Sequence, residues 1–221
     1  MTASSRRRTR GAAIAVALLL GPLVPLRAQA PKAHPSPTPS PTPEVAPLLK
    51  RYEEVSRPGA EHKRLDPLAG TWSFLARWHG ADGKAIELNG TSENRWILGG
   101  RFLRCESTAE GDGGRVESVT LFGFDQREQR YFALAMQSTA SYIMEPVGTY
   151  EAATRSFILS GKERDEITGV ALTYRMIVRI EGPDRYALEL FLDTPGRGPV
   201  RYFDSTFTRT GAALPNAGAS R

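Results

Sequence analysis

One segment near the carboxyl end of the chain alternates strictly between apolar and more polar side chains. Its apolar positions recur at every second residue, at Leu172, Tyr174, Met176, Val178 and Ile180. Because successive side chains of a β-strand point to opposite faces, this period predicts a strand with one face against a core. Residues 186–192 repeat the pattern after a Gly-Pro-Asp turn, so the two segments are predicted to form a β-hairpin.

Similar segments recur through the chain, separated by short turn signals. They are the segment after Thr71 and residues 93–98, 101–106, 116–124, 131–136, 148–151, 157–161 and 202–209. This spacing is typical of a sandwich or barrel, and no long helix intervenes to support parallel β-α-β units. We predict an all-β fold, a single antiparallel up-and-down β-barrel of about ten strands, because closure removes the exposed edges of such a meander.

Helical periodicity is confined to the region before the first strand. Residues 47–55 predict a short helix whose apolar residues share one stripe, at Leu48, Leu49, Tyr52 and Val55. A second short turn would place Leu65 and Leu68 on one side.

The two ends of the chain are predicted to lie outside the folded domain. Residues 1–30 have the basic start, the uncharged run and the Ala-Gln-Ala site of a signal peptide cleaved after Ala30, which predicts an exported protein, periplasmic or extracellular. The alternative is a retained anchor, although the run of 16 uncharged residues is short for a membrane span. Proline-rich residues 31–47 predict a disordered linker or a stalk, and residues 211–221 a disordered tail. The domain is therefore expected over residues 48–210.

Charge and composition exclude several classes of function. The net charge of +5 comes from five arginines in the first 30 residues, and the rest of the chain has 24 basic and 24 acidic residues. A neutral mature protein gives no electrostatic case for binding nucleic acid or, after signal cleavage, a membrane surface. A single cysteine excludes an intrachain disulfide, and three histidines offer few ligands for a metal site.

A hairpin with a two-residue turn is predicted at Gly99 and Gly100, which readily adopt positive φ. This register puts Trp96, Leu98 and Leu103 on one face. The other face then carries Glu93, Arg95, Phe102, Arg104 and Glu106, with like charges opposite each other. These charges would form either surface ion pairs or an inward cluster that recognises a ligand head group. We place them outside, because the apolar face favours the interior.

Several motifs of the chain resemble those of a known family. They are Glu61-His62, Leu65, residues 68–72, 93–95, 98–103, 123–125 and 148–150. In combination they resemble DUF1579, a bacterial family of uncharacterised proteins, over roughly residues 46–209. The resemblance implies a calycin-like barrel, akin to lipocalins and fatty-acid-binding proteins, in which Trp72 closes one end; it implies no established reaction. The motif residues it marks are Glu61, His62, Gly70, Trp72, Glu93, Asn94, Arg95, Gly99, Gly100 and Phe102.

The chain offers few candidates for catalysis. Glu61 and His62 form the titratable pair that suggests chemistry, and His79 would meet His62 only across a barrel end, where a metal needs a further ligand. Capping contacts are the favoured interpretation of these histidines, and Cys105 is expected to be a buried apolar side chain. No G-x-S-x-G or H-E-x-x-H motif is present.

We therefore expect a barrel that holds a small, largely apolar ligand or binds a partner at its open end, with no catalytic residue, metal or cofactor. The residues expected to contact the ligand are Trp96, Arg101, Leu103, Tyr174 and Met176. One alternative is an enzyme that uses Glu61 and His62, with Arg101, near a barrel opening. Another is a haem- or metal-binding barrel.

Overall fold

The structure is a computed structural model that describes residues 45–80, 82–165, 168–194 and 198–212. The predicted signal peptide, the predicted linker as far as residue 44 and His34 lie outside the described residues. The same is true of the predicted tail from residue 213 onward.

The described residues form ten antiparallel strands in one closed barrel, in which each strand pairs with its neighbours in the chain and β1 closes onto β10. The strands are β1 Gly70–His79, β2 Ala85–Ile97, β3 Phe102–Gly111, β4 Gly114–Asp125, β5 Arg130–Gln137, β6 Val147–Glu151, β7 Ser156–Arg164, β8 Ala171–Gly182, β9 Arg185–Thr194 and β10 Gly198–Gly211. The predicted up-and-down barrel is confirmed.

Two alpha helices and a 3₁₀ turn precede the first strand. Helix α1, Val45–Val55, begins two residues before the predicted start, and its apolar stripe is exposed to solvent. Helix α2, Ala60–Lys63, and the turn Asp66–Leu68 lead directly into β1. Leu65, directly before this turn, and Leu68, at its end, are each 1% exposed and fill one end of the barrel core. Among the described residues, no helix has the length and apolar character that a membrane span requires.

Alternation along each strand determines what faces the lumen. In β8, Tyr174, Met176, Val178 and Ile180 are almost fully buried, whereas Arg179 between them is exposed. Because the chain meanders, odd-numbered strands run from the end filled by Leu65 and Leu68, which we call the floor, to the opposite end, which we call the mouth.

The hairpin between β2 and β3 has the predicted register but a different turn. Ile97 pairs with Phe102 and Glu93 with Glu106, as expected. The ladder stops there, so residues 98–101 form a four-residue turn rather than a two-residue one. The placement of Leu98 in the interior is therefore wrong: Leu98 has φ 49° and is 68% exposed.

Candidate ligand-binding cavity

A cavity of about 200 Å³ occupies the barrel between its core and its mouth. Its walls are mainly apolar and come from nine of the ten strands. The apolar side chains include Phe74, Leu88, Val116, Phe122, Met176, Leu188, Leu190 and Phe207. This composition suits a compact apolar molecule, since a cavity of about 150 Å³ lined by aliphatic and aromatic side chains holds benzene.

The mouth is identified by those lining residues that also reach solvent. Met136, Tyr142 and Tyr202 line the cavity and are 37%, 38% and 44% exposed. The two residue pairs of the β5–β6 ladder lie near the floor, and towards the mouth the pairing continues through a bridge between Ala135 and Met144. Residues 138–143 follow β5 and include Tyr142, so they border the opening.

The floor is closed by an indole and a guanidinium. Trp72 is fully buried, and its Nε1 donates to the Leu68 carbonyl at 3.0 Å. The Arg209 guanidinium lies over the indole and donates to the carbonyls of Ala69 at 2.7 Å and Pro67 at 2.9 Å. These contacts seal the barrel beneath the cavity and tie β10 to the segment before β1.

A chain of polar groups crosses the deep wall of the cavity. The Ser107 hydroxyl donates to the Ser92 hydroxyl at 2.8 Å, and the Ser92 hydroxyl donates to the side-chain Oδ1 of Asn94 at 2.6 Å. The Asn94 amide donates in turn to the Leu68 carbonyl at 2.7 Å and to Tyr186 at 3.2 Å. Because these groups satisfy one another, they add a polar stripe to the wall without leaving a buried charge.

Among the described residues that line the cavity, one carries a carboxylate, Glu163 at the mouth end of β7. The Oε2 atom of Glu163 is buried and has no hydrogen-bond partner. Burial raises the pKa of Glu163, and the nearby Asp165 raises it further. A buried carboxylate oxygen without a partner is costly, so this position is a candidate contact for a ligand group.

Tyr174 lies beside Glu163 and depends on a glycine for its position. It pairs with Gly161 across the β7–β8 ladder, and a Cβ atom on Gly161 would lie 2.3 Å from its hydroxyl oxygen. The Glu145 backbone amide donates to the Tyr174 oxygen. Burial, with the Glu163 charge, raises the pKa of Tyr174 to about 12, so it is a neutral phenol at the cavity wall.

The residues expected to contact a ligand lie at two different heights in the barrel. Tyr174 and Met176 line the cavity. Leu103 is fully buried in the core near the floor, outside the lining. Trp96 packs against the same core, and its Nε1 donates to Asp66 at 3.0 Å. Arg101 lies in the β2–β3 turn at the floor, where it donates to the Leu98 carbonyl, so its predicted ligand contact is not made in this cavity.

Glu61 and His62 lie at the floor, where their side chains make separate contacts. Glu61 accepts from the Tyr131 hydroxyl at 2.6 Å and pairs with Arg64 at 2.5 Å. His62 Nδ1 accepts from the Gly59 amide at 3.3 Å, and burial, followed by the Arg101 charge, lowers its pKa. This pair therefore caps α2 and the floor, away from the cavity.

The described histidines do not form a metal site. His79 lies at the other end of β1 from His62 and pairs with Asp204 at 2.5 Å. Within the part of the chain that the structure describes, no three His, Cys, Asp or Glu side chains come together as metal ligands. Neither His62 nor His79 lines the cavity, so a haem held through either of these described histidines does not fit it. Cys105 lines the cavity wall, where burial raises the pKa of its thiol.

The charged residues of the β2–β3 hairpin lie on the outer face. Arg95 donates to Glu106 at 2.8 Å and lies 3.4 Å from Glu93, and Arg104 also pairs with Glu106. Their side chains are partly exposed, as surface ion pairs are. The inward-cluster alternative is therefore wrong.

Reasoning from the sequence missed the polar residues of the mouth and one residue of the floor. Glu163 continues the inward alternation of Phe157, Leu159 and Gly161, so a charged residue at that position was a detectable signal. Tyr202 lies next to an irregularity in the β10 ladder, between Arg201 and Phe203, where alternation does not predict the direction of a side chain. Arg209 contacts residues far away in the chain, which no local pattern reveals.

Comparison with known proteins supports the family and the fold. The family model of DUF1579, described as a protein of unknown function, matches residues 57–209. The structure of Rv2717c from M. tuberculosis is similar with a TM-score of 0.50 and 15% identity, over 68% of this chain and 98% of that chain. The S-type phycobiliprotein lyase CPES from Guillardia theta gives a TM-score of 0.45 and 14% identity, over 69% and 98%. At 15% identity the likeness to Rv2717c concerns the fold alone. No functionally curated protein matches the chain.

Proposed function

Because the chain belongs to the DUF1579 family, whose description states no activity, we propose from the cavity itself that the protein binds a small, largely apolar molecule inside its barrel. The observation that carries this proposal is the cavity of about 200 Å³ with apolar walls and an open mouth. A solidly packed barrel would offer no such space, since protein interiors are normally close-packed.

The first test uses hexan-1-ol, a short apolar chain with one polar end, as the probe. A ligand that binds only the folded protein at ten times its Kd stabilises it by about 1.4 kcal/mol, which raises Tm by about 3–5 °C for a domain of this size. We expect this rise in the intact protein, measured by thermal unfolding with increasing hexan-1-ol. Absence of any concentration-dependent rise contradicts the proposal.

A second test fills the cavity with a larger side chain and compares the result with the same substitution on the surface. Ala135 lines the cavity, so Ala135→Phe would occupy the space, whereas Ala171 is exposed, so Ala171→Phe adds the same group outside. We expect Ala171→Phe to keep the rise in Tm and Ala135→Phe to lose it. If Ala135→Phe does not fold, as judged by circular dichroism, Ser118→Leu fills the same lining from β4. An equal rise in the filled variant would place the probe elsewhere.

We also propose that the protein acts outside the cytoplasm, on the strength of the sequence pattern of residues 1–30. Mass spectrometry of the mature protein from its own host tests this, with an amino terminus at Pro31 as the expected result. An intact Met1 terminus in the cytoplasmic fraction would contradict it.

A further inference from the structure

The unpartnered carboxylate of Glu163 defines the chemistry that a ligand should bring to the mouth. Its Oε2 is buried at the cavity wall with no hydrogen-bond donor from the protein. The neighbouring Arg164 turns away and donates to the Gly169 carbonyl, so it does not neutralise this group inside the barrel. A carboxylate in such a position needs a donor or a positive charge to offset its loss of hydration.

The described lining of the cavity gives that carboxylate no cation. Among the described residues that line the cavity, none is Lys, Arg or His, and Glu163 is the one acidic residue. Asp165, two residues along, acts electrostatically on Glu163 and Tyr202, and the Glu145 carboxylate acts on Tyr174. The side-chain charges that act on Glu163, Tyr174 and Tyr202 are therefore acidic, which at this position favours a cation over an anionic ligand such as a carboxylate.

Aromatic rings lie near the same position: the Glu163 charge acts on Tyr174 and Tyr202, and Tyr142 acts on Tyr174. Tyr142, Tyr174 and Tyr202 line the cavity at its mouth end. The faces of such rings carry negative partial charge and attract ammonium groups. Below these rings the walls are apolar, which suits a hydrocarbon body.

We propose that the ligand is a small apolar molecule with one positively charged amino group, which Glu163 binds at the mouth while the hydrocarbon part fills the cavity. This inference rests on the proposed function, because it names the ligand class of the same cavity. The ammonium N–H groups would donate to the Glu163 carboxylate and lie among the tyrosine rings. No covalent step is involved.

Three probes with the same six-carbon body separate the possible head groups: hexylamine, hexan-1-ol and hexanoate. Their affinities for the intact protein are measured by titration calorimetry at pH 7.5 and constant ionic strength. We expect hexylamine to bind at least ten-fold more tightly than hexan-1-ol, and hexanoate to bind more weakly than both.

Two variants assign the preference to Glu163. Glu163→Gln keeps the shape of the side chain and removes its charge, so we expect the amine to lose at least ten-fold in affinity while hexan-1-ol is unchanged. Asp193→Asn removes one negative charge from the exposed outer face at the same end of the barrel, and we expect it to bind like the unaltered protein. Thermal unfolding confirms that both variants are folded.

The outcomes distinguish this inference from the proposed function. If hexan-1-ol binds the cavity as well as hexylamine, or hexanoate binds best, the amine proposal is overturned and the ligand-binding function stands. The same holds if Glu163→Gln leaves the amine preference intact. If neither hexylamine nor hexan-1-ol binds, the proposed function fails, and this inference fails with it.

Discussion

The Arg209 guanidinium lies 4.1 Å from the centre of the Trp72 ring, and the two residues also pair in the β1–β10 ladder. Trp72 lies near the start of the first strand and Arg209 near the end of the last. The contact therefore joins the two strands whose pairing closes the sheet, at the point where the floor is sealed. Loss of this contact should therefore lower the stability of the whole barrel rather than that of one strand.

The first prediction concerns Arg209→Met. The variant keeps an apolar side chain but removes the cation and its hydrogen bonds to the carbonyls of Ala69, Pro67 and Pro183. We expect the free energy of unfolding to fall by about 3 kcal/mol, since hydrogen bonds from a charged donor are among the stronger ones and the contact of the cation with the Trp72 ring is lost as well. Urea denaturation measures the change.

Exposed Arg185, which pairs with Glu181, gives the control, because Arg185→Met should change stability by no more than about 0.5 kcal/mol. A loss below about 1 kcal/mol for Arg209→Met would mean that the floor does not depend on this contact.

The second prediction concerns Leu98, an exposed leucine with φ 49°. A left-handed conformation costs a leucine roughly 1 kcal/mol, whereas asparagine adopts it more readily. We expect Leu98→Asn to raise the unfolding free energy by about 0.5–1 kcal/mol in chemical denaturation. Leu98→Ala, which keeps the conformational cost, should give no gain. Equal stability of the two variants would refute this explanation.

The third prediction concerns the contact of Gly161 with Tyr174. A methyl group at Gly161 would displace the Tyr174 ring, so we expect Gly161→Ala to cost about 1–3 kcal/mol. In a Tyr174→Leu background the same change should cost less, which a double-mutant cycle measures. Gly182→Ala, where a methyl group meets open space, is the control and should be close to neutral. An identical cost in both backgrounds would show that Tyr174 is not the obstacle.

The fourth prediction concerns the pH dependence of the ligand-free protein. Burial raises the pKa of Glu163 in the folded state, with a contribution from Asp165, while Tyr174 of β8 and Tyr202 of β10 face it as neutral phenols. As pH rises, the Glu163 carboxyl group therefore loses its proton first in the unfolded chain, near its ordinary pKa of about 4.3. The free energy of unfolding then declines until Glu163 is ionised in the folded state as well.

Glu163→Gln removes that decline, so its Tm should match the unaltered protein near pH 4 and exceed it by a growing margin towards neutral pH. Thermal unfolding between pH 4 and pH 8 measures the margin. A difference in Tm that stays constant across this range would contradict the assignment to Glu163.

The strands and their faces could be predicted because alternation is a local property. The apolar face of β8 and the register of the β2–β3 hairpin both follow from residues close together in the chain. Leu98 was misplaced because a two-residue and a four-residue turn give the same register, and the pattern of side chains does not distinguish them.

The cavity could be predicted less well, because alternation gives the side of the sheet and not the height within the barrel. Leu103 and Met176 both point inward, yet Leu103 packs in the core near the floor and Met176 lines the cavity. Height depends on the stagger of all ten strands, which is known only once the barrel is closed. The contact of Arg209 with Trp72 could not be predicted from the sequence for the same reason.

The connection that follows β5 has a kinetic consequence. With Arg209 sealing the opposite end, the route into the cavity among the described residues passes residues 138–143, where Tyr142 lines the opening. Arrival and departure of a ligand then share one passage, so widening or bracing that passage should alter both rates together and leave the equilibrium affinity almost unchanged. The residence time of a ligand would then depend on how readily residues 138–143 move aside.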